Sequence, residues 1–136
     1  MTKTWRQKLD NGREPQIEVL EKDFGGMKAG DRMLVSTPRQ VDSAIRKIPK
    51  GTTTDIPAFR NSLASESGAD GACPLSTSIF IRIVSEVALE ELANGTPRDE
   101  VAPFWRVVDP KSPLAKKLSC GSDAVAKLAA EDSIKR

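Results

Sequence analysis

The chain has 136 residues, 38% of them apolar and 29% charged, with a formal net charge of +2 and no histidine. That size fits a single domain with a real core, and no run of apolar residues approaches the length of a transmembrane helix. With no histidine and only two well-separated cysteines, Cys73 and Cys120, the usual zinc-ligand sets and imidazole acid–base catalysis are excluded.

The expectation is accordingly no metal and no cofactor. The polar start Met1-Thr2-Lys3-Thr4-Trp5-Arg6 has no apolar leader, which predicts a cytoplasmic protein without a membrane partner. In that reducing compartment both thiols are expected to be free. The weak positive charge permits nucleic-acid binding without requiring it, since clustering of charge matters more than its sum.

Residues 1–31 read as an N-terminal arm ahead of a domain spanning 32–136. Glycine and charge dominate Asn11-Gly12-Arg13-Glu14-Pro15 and the stretch 25–31. The alternation Ile17-Glu18-Val19-Leu20 predicts a strand. Trp5, Val19, Leu20 and Phe24 are the anchors through which the arm would pack on the domain; a mobile arm is the alternative. Residues 32–36 predict a short strand. Thr37 then caps a helix with Pro38 at its first position and Val41, Ala44, Ile45 and Ile48 on one stripe, stopped by Pro49-Lys50-Gly51.

Thr54 is the expected cap of a second helix that buries Ile56, Phe59 and Leu63, with Pro57 in the first turn, where amides lack helical partners. Residues 65–71 read as a polar loop. A long helix follows, with Cys73 at the cap position, Pro74 at the first helical position and Asn94-Gly95 as its stop. Leu75, Ile79, Ile83 and Val87 predict one apolar face, with Phe80, Val84 and Ala88 beside it. Ser78, Arg82 and Glu86 repeat every four residues on another stripe. Residues 101–108 read as a strand, β-branched at its end, and Asp109-Pro110-Lys111-Ser112-Pro113 as a turn. Ser122 caps a final helix carrying Val125, Leu128 and Ala129.

Two helices joined by a loop, the second with a polar stripe, then a strand and a turn, form the outline of a winged helix. The expected fold class is therefore α/β: a helix-rich, winged-helix-like domain with a small sheet. Short motifs in order extend that outline. Ile48-Pro49-Lys50-Gly51-Thr52-Thr53-Thr54 resembles the segment that opens the DNA-binding unit of the O6-alkylguanine-DNA alkyltransferases. Pro103-Phe104-Trp105-Arg106-Val107-Val108 resembles that family's P-C-H-R-V-V active-site motif. Leu118-Ser119-Cys120-Gly121 is similar to its Y-S-G-G loop, and Leu128-Ala129-Ala130-Glu131 to its closing helix. The resemblance covers roughly residues 38–133.

What the resemblance implies is set by the departures from it. The nucleophilic cysteine falls at Phe104 and the histidine that activates it at Trp105, so no catalytic residue is expected and alkyl transfer through this motif is lost. The family's glutamate survives at Glu131. The arginine that fills the gap left by a flipped base falls near Ser78, with Arg82 one turn later, and the tyrosine that presses on the target phosphate falls at Ile56. Alkyltransferase-like proteins also lack the nucleophile yet bind alkylated DNA, and this chain is similar to them in that respect.

The expected function is non-enzymatic DNA binding, with a role in sensing damaged DNA and in contacting other repair proteins. Lys50, Thr53, Thr54, Ser78 and Arg82 are the candidate DNA contacts. Phe104, Trp105, Arg106, Ser119, Cys120 and Glu131 are the candidate pocket, and Arg106 is expected to tie its segment to the final helix. Two alternatives stay open: a protein-interaction module on the same scaffold, and a residual alkyltransferase using Cys120.

Overall fold

The computed structural model describes residues 3–132. The domain is mixed α/β and rich in helix, with a small three-stranded sheet. The sheet joins β1 (Gln16–Val19), β2 (Arg32–Val35) and β3 (Gly71–Ala72) in that order. β1 runs antiparallel to β2 with Gln16 opposite Val35, and β3 runs parallel to β2 with Gly71 opposite Met33. β3 begins at Gly71, the last residue of the stretch expected to be loop. Its glycine has a steric reason, because a Cβ on Gly71 would sit 2.5 Å from Met27 Sδ.

Among the described residues six α-helices surround the core: α1 (Trp5–Leu9), α2 (Pro38–Arg46), α3 (Ile56–Glu66), α4 (Pro74–Ala93), α5 (Pro113–Lys117) and α6 (Gly121–Glu131). α2 starts as its residues dictate: Thr37 Oγ1 accepts from Gln40 N at 3.1 Å and Pro38 occupies the first turn. At α3 the cap is Asp55 rather than Thr54. The Asp55 carboxylate accepts from Ala58 N at 2.7 Å, while Thr54 N is drawn to Arg106 O at 2.8 Å. A carboxylate at a helix N-terminus gains from the dipole as well as the hydrogen bond. α6 begins at Gly121, one residue before the expected Ser122 cap, with Cys120 at the cap position and no side-chain capping bond. Ser112, placed in a turn by its sequence, caps the unforeseen α5 by accepting from Ala115 N at 3.2 Å.

Residues 3–31 are built into the domain. α1 packs along α4 and places Leu9 in the main core. Of the four expected anchors, Trp5 and Leu20 are half-buried, whereas Val19 and Phe24 are exposed. Leu9 and Met27 take the buried positions instead.

α4 is the central helix, lying against α1, α2 and α3. Its middle turns are buried almost all round, with Ile81, Ile83, Val84, Ser85, Glu86, Val87 and Ala88 inside. Its first two turns reach beyond that packing and leave Leu75 and Ile79 exposed, against the expected continuous apolar face. Asn94 and Gly95 end the helix as expected, Gly95 with a φ of +92°. None of the described helices is long and apolar enough to cross a membrane.

Residues 101–108 correct the largest expectation of the sequence. They form no strand; Phe104–Arg106 is a turn of 3-10 helix. Arg106 N donates to Pro103 O at 3.0 Å and Val108 N to Phe104 O at 2.9 Å, so the backbone satisfies itself locally. The segment is wedged between α4 and α6 with no sheet edge beside it. A short apolar run reads alike whether it is buried as strand or as turn.

Candidate functional site

The motif segment is a core element. Phe104 and Trp105 are 0% and 1% exposed, with ring centroids 5.3 Å apart at 74°, an edge-to-face pair. Full burial of aromatic side chains contributes roughly 1.5–3 kcal/mol each. Phe104, where the alkyltransferase resemblance would place a nucleophile, is sealed from solvent.

Arg106 ties its segment to the end of α6 through Asp132. Its Nε and Nη2 donate to Asp132 at 2.7 and 2.8 Å, and its Nη1 donates to Ile48 O at 2.7 Å. One guanidinium therefore joins the 3-10 turn, the end of α2 and the end of α6. The bidentate contact with Arg106 holds the Asp132 carboxyl below the usual carboxylate range, helped by Gly51 N. Glu131, the residue the resemblance selects, points outward to an exposed ion pair with Arg98. It lines neither of the clefts that Arg98 borders. One step along the helix decides this: Asp132 is buried, Glu131 is exposed.

Ser119 and Cys120 belong to a second polar centre, on α4. Glu86 is 3% exposed, and its carboxylate accepts from Ser119 Oγ at 2.5 Å and from Ser119 N at 3.2 Å. Arg82 Nε lies 3.9 Å from the same carboxylate, near enough for charge attraction but too far for a hydrogen bond. Trp5 covers Arg82, with the guanidinium 5.4 Å from the ring centroid and Lys8 4.4 Å away on the same ring. Burial pushes the Cys120 thiol above its ordinary range, and the Glu86 charge pushes it the same way. A raised thiol is a poor nucleophile at neutral pH.

The candidate DNA contacts consequently separate. Ser78 and Arg82 are half-buried on α4, and Trp5 and Glu86 hold Arg82. Lys50 and Thr53 are exposed on the joint between α2 and α3, and Thr54 is half-buried beside them, anchored through its amide. Arg46 and Lys47, on the last turn of α2, are exposed next to Lys50. Lys47, Thr52 and Thr53 line a cleft of about 350 Å³, and Lys50 faces Arg98 and Arg106 across a second of about 280 Å³. Lys47 and Lys50 make no ion pair among the described residues. Charge clustering of this kind is visible in the sequence 46–50, but exposure had to be seen. Among the described residues no group of histidine, cysteine, aspartate and glutamate is placed to hold a metal ion.

Arg82 carries a prediction of its own. Arg82→Glu is expected to cost about 1–3 kcal/mol, because it sets a second carboxylate beside the buried Glu86 and strips the Trp5 ring of a cation. Thermal unfolding followed by circular dichroism measures this, and a midpoint at the wild-type value would reject it.

No protein-family model, curated protein or solved structure matches the chain.

Proposed function

We propose that this chain is a non-enzymatic DNA-binding protein on an alkyltransferase-like scaffold, and that it holds the phosphate backbone at the joint between α2 and α3. One observation carries the reading: Arg46, Lys47, Lys50, Thr52 and Thr53 are exposed together within eight residues. Cations and hydroxyls in such a cluster neutralise and hydrogen-bond phosphates without reading bases. The closed surface over Phe104 narrows the role further. A flipped base has no cavity to enter there, so sensing of damage would act through backbone shape. Free thiols at Cys73 and Cys120 fit the reducing cytoplasm in which we place it.

The test is fluorescence anisotropy with duplex DNA between about 50 and about 200 mM salt. The double variant Lys47→Glu/Lys50→Glu is expected to bind at least about tenfold more weakly at low salt, with a log–log salt slope shallower by about two. An unchanged slope would remove the joint from the interface.

A second reading, a protein-interaction module, has its own support in the covered Arg82 stripe and the filled site at Phe104. Absence of any salt-dependent DNA binding, together with a protein that co-purifies, favours it. Alkyl transfer to Cys120 has the least support, given the direction in which that thiol is shifted. Intact mass after incubation with alkylated DNA is expected to stay constant.

A further inference from the structure

We propose that β1 is an interface for a second copy of this chain, the two strands joining antiparallel, edge to edge, about a two-fold axis at Ile17.

The hydrogen-bond directions within the sheet expose the edge. Arg32 O and Leu34 O accept from Asp70 N at 2.8 Å and Cys73 N at 2.9 Å, on the β3 side. Successive residues of a strand turn their peptide groups to opposite edges, so Met33 and Val35 face β1. They stand opposite Glu18 and Gln16, which therefore hold the inner edge of β1. Leu20 continues that edge, donating to Asp31 O and accepting from Gly30 N. Ile17 and Val19 must then direct N–H and C=O away from β2, where no described residue pairs with them. All four residues of β1 are exposed, Val19 at 67%.

The sequence of this edge is complementary to itself. With Ile17 opposite Ile17 of the second copy, the two exchange a pair of hydrogen bonds, and Val19 N–H of each copy donates to the Pro15 carbonyl of the other. Pro15 accepts there but has no N–H to return, so the ladder ends at this pair with the Val19 carbonyl left to solvent. Pro15, Ile17 and Val19 lie on one face of the strand, so both copies bring their apolar side chains together there. On the opposite face the Gln16 amide meets the Glu18 carboxylate of the second copy. Beyond the strand Arg13 stands across from Glu21 of the second copy. A register shifted to centre on Glu18 would instead oppose two carboxylates. β1 has a continuous register with β2, without a bulge or a lysine to turn a second strand away, although its four-residue length, Glu18 and Pro15 limit how far pairing can extend. So short a strand lies at the small end of specific interfaces, which predicts a weak dimer that depends on concentration.

Sedimentation equilibrium of the full chain, from roughly 10 µM to roughly 1 mM, tests this. The mass is expected to climb from 14.8 kDa toward twice that value. Val19→Pro removes an N–H unused within the sheet and is expected to weaken association at least about tenfold. Arg13→Glu weakens it too, and Arg13→Glu/Glu21→Arg restores it; this pair of variants tests the register even if the proline disturbs the strand. A mass fixed at 14.8 kDa throughout, association indifferent to Val19→Pro, or failure of the charge swap to rescue each overturns the proposal. Capture of a different protein by a monomeric chain through β1 overturns it as well.

Discussion

Arg106→Ala is expected to destabilise the domain by about 3–5 kcal/mol, because breaking a buried pair leaves one charge without compensation. Asp132 is 2% exposed, and Arg106 supplies two of its hydrogen bonds. The same substitution frees Ile48 O, so the end of α2 loses its tie to the 3-10 turn. A domain of this size has roughly 5–15 kcal/mol in total, and the variant should lose a large part of it. Urea unfolding followed by tryptophan fluorescence measures the loss; a change below about 1 kcal/mol would show that water replaces the guanidinium at no cost.

The pair also has a pH signature. The Asp132 carboxyl is held low in the folded chain, so its contribution is complete above the unfolded carboxylate range near pH 4. That contribution is lost as pH falls through the lower folded value. Wild type should therefore lose stability on acidification more steeply than Asp132→Asn, whose amide does not titrate. Matching slopes for the two proteins would contradict the shift.

Phe104→Cys restores the residue that the alkyltransferase resemblance places there, and is expected to restore no chemistry. The ring is 0% exposed and packs edge-to-face on Trp105. Trading it for a thiol leaves a cavity and should cost about 3–4 kcal/mol. The new sulfur would sit in apolar surroundings, where a thiol stays protonated and inert. Under native conditions a soluble thiol reagent should therefore modify Cys120, which is half-buried, well before position 104. Peptide mapping of the labelled sites reads this directly. Labelling of position 104 at the rate of Cys120, in a variant that remains folded, would mean that the site is open and that burial does not silence a thiol there.

The elements that local chemistry dictates were legible beforehand. Thr37-Pro38 starts α2, Pro74 and Asn94-Gly95 bound α4, and the alternation at Ile17 marks β1. The elements that depend on neighbours were not. β3 is two residues long and exists only because β2 runs beside it. Residues 101–108 carry strand-forming side chains but have no strand to pair with, so burial between α4 and α6 coils them instead.

The candidate site divides along the same line. That Arg106 would bind the closing helix follows from the motif, but whether Glu131 or Asp132 receives it depends on which carboxylate the last turn of α6 turns inward. That α4 carries Ser78 and Arg82 on one stripe follows from spacing by four. That α1 covers Arg82 depends on Trp5, dozens of residues away in the chain.

By itself, then, the sequence determined which side chains this protein has for chemistry: no histidine, a phenyl and an indole in the motif, and cations gathered at 46–50. Those are properties of residue identity and spacing, which folding does not alter. Only the tertiary structure decided which of them meet solvent. Phe104 is sealed, Arg82 is covered, and Lys47 and Lys50 are left exposed, because burial is settled by packing between segments distant in sequence.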